Sequence, residues 1–173
     1  MEHLEIERKF LWTLPLPSQA PNRKVTRYLF PIEHGIERRV QKTVFETGAI
    51  EYRDQIKQEL ENGERKEIKK EIISEGEFNS LLSSNSLISK IERHEYDMQN
   101  KTEGIARVTL NYYPTINLSR LEIEFIDHES SMKYNPKHNF VEINGPLLRD
   151  ATLSRLTKEE VRQEIDSLLT HNQ

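Results

Sequence analysis

Most of the chain alternates apolar and polar residues with period two, the pattern of strands with two unlike faces. The alternation predicts strands over 5–12, 25–30, 36–45, 49–58 and 64–73, and again over 89–98, 104–112, 118–127 and 140–143. A loop carrying Pro15, Pro17 and Pro21 separates the first two. Glu46-Thr47-Gly48-Ala49 and Glu61-Asn62-Gly63-Glu64 read as hairpin turns, the second through its Asn-Gly pair. Helical spacing replaces alternation twice. Ser74-x-x-Glu77 is a capping box ahead of Phe78, Leu81 and Leu82. Thr157-x-x-Glu160 precedes Val161, Ile165, Leu168 and Leu169, so the chain closes in an amphipathic helix. Eight or nine antiparallel strands with few helices predict a closed or nearly closed β structure, in a single domain over residues 1–173.

On several strands the polar face is charged rather than neutral. Glu5, Glu7 and Lys9 share one face, in steps of about 7 Å. Glu37, Arg39 and Gln41 form another row. Lys57 ends a strand whose earlier residues on the same face are Arg53 and Gln55. Arg65, Glu67, Lys69 and Glu71 follow in step two, then Arg93 with Glu95, and Glu122 with Glu124. Charged rows can be solvated surface. If the opposite, apolar faces pack against helices outside, the same rows line a polar lumen. Paired carboxylates repel unless a cation lies between them, and hard divalent cations take oxygen ligands. Inward basic side chains would surround a polyanion.

Composition fits such a lumen. The apolar fraction is 35% and the charged fraction 31%, more charge than a sandwich with one wet face needs. A net charge of −4 gives no electrostatic case for nucleic acid. Without cysteine there is neither a disulfide framework nor a zinc-thiolate site. No membrane-length apolar run and no signal-peptide pattern occurs, which predicts a cytoplasmic protein with no membrane partner. No glycine-rich phosphate loop occurs, so a phosphate site must be built from side chains. His3, His34, His94, His128, His138 and His171 show no ligand spacing and read as surface or supporting residues. Phe10 and Trp12 read as core, and Tyr112-Tyr113-Pro114 as a strand end and turn. Arg149 and Arg155 are candidates to reach the mouth of a lumen.

The rows together resemble the CYTH family, the triphosphate tunnel metalloenzymes. Glu5-x-Glu7-x-Lys9 matches the ExExK signature and Glu37-x-Arg39 the ExRxR strand. Lys57 matches the strand-ending lysine, Arg65-x-Glu67 the RxExE row, and Glu122-x-Glu124 the late ExE strand. Val141-Glu142-Ile143-Asn144-Gly145 is similar to the closing segment. The resemblance implies a mainly β fold with flanking helices, an eight-stranded antiparallel β-barrel tunnel with a charged lumen. It implies a hydrolase acting with Mg2+ or Mn2+ on inorganic triphosphate or a small triphosphate ester. Its alternatives are a class IV type adenylate cyclase and a non-catalytic nucleotide- or polyphosphate-binding module.

Carried over by position, Glu5, Glu7, Glu122 and Glu124 would ligate metal. Lys9, Arg39 and Lys57 would be catalytic and would bind substrate with Arg65, Arg93, Gln41 and Lys69. Glu37 and Glu67 would support them. Gln41, Lys69 and Glu95 depart from the family pattern, which has arginine, glutamate and arginine there. The resemblance implies a triphosphate-bearing small molecule as partner and leaves monomer or homodimer open.

Overall fold

The computed structural model describes residues 3–85, 87–136 and 140–172; His138 lies outside them. Ten strands form one antiparallel sheet: β1 (His3–Glu5), β2 (Glu7–Leu11), β3 (Arg23–Leu29), β4 (Ile36–Phe45), β5 (Ile50–Glu59), β6 (Arg65–Ile73), β7 (Ser89–Met98), β8 (Ile105–Tyr113), β9 (Leu118–Phe125) and β10 (Val141–Glu142). Their hydrogen-bonded order is β1-β6-β5-β4-β3-β7-β8-β9-β2-β10. The mainly β architecture agrees with expectation. The strand count does not, and the sheet is not closed into a ring.

Both differences come from the first strand. It breaks at Ile6. Residues 3–5 pair with β6, with Glu5 opposite Arg65. Residues 7–11 pair with β9 near the opposite edge of the sheet, with Glu7 opposite Glu124 and Lys9 opposite Glu122. One short segment thus serves both ends of the sheet and places Glu5 on one wall and Glu7 and Lys9 on another.

The predicted turns form. At the Asn62-Gly63 turn, Leu60 N donates to Glu64 O at 2.8 Å and Gly63 takes φ of +82°, a conformation that suits a residue without Cβ. Helix α1 (Glu75–Ser83) is capped by Ser74, whose Oγ accepts from Glu77 N at 3.1 Å, and buries Phe78 against Tyr28 and Tyr52. Helix α2 (His128–Lys133) is capped by Asp127. A 3-10 turn at Gly145–Leu147 leads to α3 (Asp150–Leu153) and α4 (Lys158–His171), where both arms of the Thr157–Glu160 capping box are made.

The apolar core lies in two places, neither of them the middle of the sheet's concave side. One cluster, around Phe10, Tyr96, Leu110, Leu121, Ile123 and Phe125, covers the outer face of β2, β7, β8 and β9 under Trp12, Tyr134 and Phe140. The other joins Leu11, Leu29, Ile91, Tyr113 and Leu118 of the strands to Ile143, Leu147, Ala151, Leu153 and Val161 of the C-terminal segment. Each such side chain contributes about 1.5–3 kcal/mol when fully buried. The C-terminal segment therefore packs firmly against one end of the concave face. The space left above it is lined by charge.

Candidate functional site

Eleven of the thirteen residues to which the resemblance gives a role line one cavity of about 310 Å³: Glu5, Glu7, Lys9, Arg39, Gln41, Lys57, Arg65, Glu67, Arg93, Glu122 and Glu124. They reach it from β1, β2, β4, β5, β6, β7 and β9, because on each strand alternate residues face inward. Among the described residues, ten cationic and eight acidic side chains line the cavity, an excess of positive charge inside a chain whose net charge is −4.

Two expected residues are elsewhere. Lys69 points to the outer face, where its Nζ meets Asp54 Oδ2 at 2.8 Å. The reason is a β-bulge: Ile56 pairs with Lys69 but Lys57 pairs with Glu67, so Ile68 is an extra residue on β6. The alternation shifts by one there, and Lys70 takes the place in the cavity lining that Lys69 would have had. Glu37, on the same face of β4 as Arg39, is buried outside the cavity lining, with Oε2 accepting from Arg65 Nη2 at 2.7 Å and Arg39 Nη1 3.8 Å from Oε1.

The cations are held by acids and backbone carbonyls and repel one another. Lys57 Nζ donates to Glu5 Oε1 at 2.5 Å. Burial raises the Glu5 pKa, but the Lys57 charge and hydrogen bond outweigh it and bring the carboxyl to about 2. Burial, with Arg39 and Arg65 nearby, pulls the Lys57 ammonium down to about 7 against the pull of Glu5 and Glu7. The two carboxylates do not offset burial plus two guanidinium groups, so the ammonium stays below its ordinary value. Arg39 is likewise brought down to about 10, by burial and then by Arg27. Lys9 Nζ donates to Leu148 O at 3.0 Å and lies 3.3 Å from Glu7 and 3.6 Å from Glu122. Gln41 accepts from Arg27 Nε at 3.1 Å.

A second buried cluster, which the sequence reading missed, forms the floor. Asp150, the first residue of α3, is 3% exposed. Its Oδ2 accepts from Arg27 Nη1 at 2.5 Å and from Arg93 Nη1 at 3.4 Å; its Oδ1 accepts from the Tyr113 hydroxyl at 2.7 Å and Arg120 Nη2 at 2.9 Å. Arg120, fully buried, also donates to Glu122 Oε1 at 2.7 Å and to the carbonyls of Leu147 and Leu148. Burial opposes ionisation of Asp150, yet Arg27, Arg93 and Arg120 hold its carboxyl well below the usual range. Arg27 could have been found, since Arg23, Val25, Arg27 and Leu29 keep the inward alternation of β3. Asp150 carried no signal.

Arg93 also pairs with Glu95 at 2.5 Å, and Glu95 with Arg23 at 2.7 Å. Glu95, which stands where the family pattern has a cation, thus neutralises two. Arg149 donates to Gly63 O at 3.2 Å and lines a smaller pocket beside Glu5 and Glu7, whereas Arg155 lies over the outer groove near Leu87.

The donor set suits a hard divalent cation. It is all oxygen. Glu7 and Glu124 stand directly opposite on β2 and β9, and Glu5 Oε2 is buried without a hydrogen-bond partner. Among the described residues no three acidic or histidine side chains already converge on one point. The carboxylates are instead drawn to Lys57, Lys9 and Arg120.

No protein-family model matches the chain, and no curated protein matches its sequence. Solved structures do. The inorganic triphosphatase NE1496 aligns with a TM-score of 0.52 at 20% identity, over 87% of this chain and 93% of that one. Another structure of NE1496, described as a hypothetical protein, gives 0.52 at 19% identity over 88% and 99%. This chain shares the fold of NE1496. Identity at that level carries the architecture alone. Among the described residues no helix is long and apolar enough to cross a membrane.

Proposed function

We propose that the cavity binds the triphosphate group of a small molecule and hydrolyses it with the help of Mg2+ or Mn2+, the substrate being inorganic triphosphate or a small triphosphate ester. The observation that carries this reading is the inward ring of Lys9, Arg27, Arg39, Lys57 and Arg93, all nearly buried around one cavity. The carboxylates of the lining offset much of this buried charge, and the remaining positive excess is unfavourable unless a bound anion shares the space. A triphosphate carries several charges in a compact chain, and guanidinium forks match its oxygens.

Glu5, Glu7, Glu122 and Glu124 would hold the cation, which when bound polarises phosphoryl oxygens and activates water. The rest falls to the basic residues. Lys9, held between Glu7 and Glu122, supplies charge at the wall where the carboxylates lie. Arg27 and Arg93, fixed by Asp150, supply donors from the floor. Arg39, Arg65 and Lys57 supply them from the opposite wall. These groups stabilise charge on the transferred phosphoryl group and orient it, the main protein contributions to phosphoryl transfer.

Glu95 favours a second reading. By taking up Arg23 and Arg93 it lowers the free positive charge, as suits a module that binds a nucleotide or polyphosphate without turnover. A panel of triphosphates with magnesium and with manganese separates the possibilities. Orthophosphate release supports the hydrolase. Cyclic nucleotide with pyrophosphate marks a cyclase, and tight binding without product marks a binder.

A further inference from the structure

The cavity lining is polar or charged with a single exception. Among the described residues, Phe45 is the one apolar side chain that lines it. It is the last residue of β4, directly opposite Arg23 on β3. Its backbone is clamped by the following turn, with Phe45 N donating to Ala49 O and Gly48 N donating to Phe45 O, each at 2.9 Å. No ring and no cation packs over its face among the described residues. The neighbouring guanidinium of Arg23 is drawn away to Glu95 and Asp97. Thr43 and its β5 partner Glu51 line the same cavity two residues in from Phe45, and Arg53, also in the lining, is held by Glu51.

We infer that Phe45 is a specificity-determining residue: it stacks against a planar nitrogen heterocycle carried by the substrate, a contact that bare triphosphate cannot make. The inference rests on the triphosphate reading above. Its geometry is set by the strand. Gln41 stands opposite Arg27, at the level of the floor cations. Phe45 lies four residues farther along β4, about 13 Å at ~3.3 Å per residue. From the middle phosphate of a triphosphate ester to its ring runs about eight bonds of ~1.5 Å, on the order of 10 Å with the zigzag of bond angles. A chain whose phosphates meet Arg27 and Arg93 therefore brings its ring to the rim beside Phe45. The groups on Thr43, Glu51 and Arg53 offer both donors and acceptors to the ring edge.

The test compares wild type, Phe45→Ala and Phe45→Leu, with ATP as the ring-bearing probe and inorganic triphosphate as the ringless one. Dissociation constants are measured by calorimetry in magnesium and again in EDTA. Stacking on an aromatic side chain is worth roughly 5- to 150-fold in affinity. Phe45→Ala should weaken ATP by that factor and leave inorganic triphosphate within about twofold of wild type. Phe45→Leu keeps apolar bulk without the aromatic face and should recover only part of the ATP affinity. Unchanged melting temperatures show that the rim is intact. If ATP affinity ignores both substitutions, or if both ligands weaken equally, Phe45 does not read the ring and the inference is overturned while the triphosphate reading stands. If wild type binds neither probe under either condition, the triphosphate reading fails and takes this inference with it.

Discussion

Replacing Asp150 by alanine tests whether the floor is an ion network that the fold depends on. The carboxylate is 3% exposed and accepts from Arg27, Arg93, Arg120 and Tyr113. Its removal leaves three guanidinium groups facing one another where water has little access. Breaking a buried pair by deleting one partner destabilises by about 3–5 kcal/mol, since the remaining charge is left uncompensated. For a chain of 173 residues, 1 kcal/mol moves the melting temperature by ~2–4 °C, so Asp150→Ala should melt ~6–20 °C lower than wild type. Thermal unfolding followed by circular dichroism reads this directly. The dependence on pH has a definite sign. Asp150 is held well below its ordinary value by Arg27, Arg93 and Arg120, so its stabilisation is full above about pH 4 and is lost as pH falls through the folded-state pKa. The gap between wild type and Asp150→Ala should therefore be flat from pH 8 to 5 and narrow only in stronger acid. Triphosphate, which would bring negative charge back among the arginines, should raise the melting temperature of Asp150→Ala more than that of wild type. A shift of less than about 2 °C at pH 7, with or without ligand, would refute the argument, because it would mean the arginines relax to solvent at little cost.

The other expectations concern the cavity walls. Glu7→Gln should lower turnover about a hundredfold, and EDTA should abolish wild-type activity; activity that survives EDTA sinks the assignment of Glu7 and its neighbours to a metal. Lys69→Ala should leave triphosphate affinity within about twofold, whereas Lys70→Ala should weaken it by up to roughly tenfold, for one charge-assisted contact; the reverse order would place the bulge elsewhere. Gln41→Arg adds a cation beside Arg27 and should raise affinity or rate for inorganic triphosphate by up to about tenfold per ~1.4 kcal/mol gained; a titration showing no change in either would deny residue 41 a place at the ligand. Lys57 titrates near pH 7 in the free protein, and a bound polyanion raises that value, so binding takes up a proton and affinity falls as pH rises above about 7. Calorimetry in two buffers of different ionisation enthalpy checks it, and zero proton uptake at pH 7.5 contradicts the charge environment drawn for Lys57.

How far the site could be read from sequence depended on how regular each strand is. On β4 and β9 alternation runs unbroken, so Arg39, Gln41, Glu122 and Glu124 fell on the correct face by counting in twos. On β6 the same count succeeded for Arg65 and Glu67 and failed at Lys69, because one extra residue, Ile68, reverses everything after it. Nothing in Lys66-Glu67-Ile68-Lys69-Lys70 marks the bulge, since lysines occur on both parities. The first strand misled in another way. Glu5-x-Glu7-x-Lys9 reads as one straight row, but the break at Ile6 hands Glu5 to β6 and Glu7 and Lys9 to β9. The strand-local motif names residues that line one cavity but misses their division between two strand pairings. Asp150 was out of reach altogether. It depends on a C-terminal segment packing into the end of the sheet through Leu147, Leu153 and Val161, a tertiary event that no periodicity records.

That packing also explains how the chain tolerates a charged interior. A β domain of this size would ordinarily fill its concave side with apolar side chains, and here it cannot, since Arg27, Arg39, Arg93 and Lys9 occupy that space. Two other surfaces supply the apolar burial instead: the outer face of β2, β7, β8 and β9, and the end closed by the C-terminal helices. The same segment that completes the second cluster carries Leu148, whose carbonyl accepts from both Lys9 and Arg120, and Asp150, which fixes Arg27 and Arg93. Stability and site geometry are therefore linked through one short stretch, residues 145–153. Substitutions that loosen its apolar side, such as Leu147→Ala, should disturb the orientation of the arginines on its polar side even though Leu147 itself is absent from the cavity lining. A metal-binding reading centred only on the carboxylates would not anticipate this. The arrangement of Asp150 and Leu148 requires it.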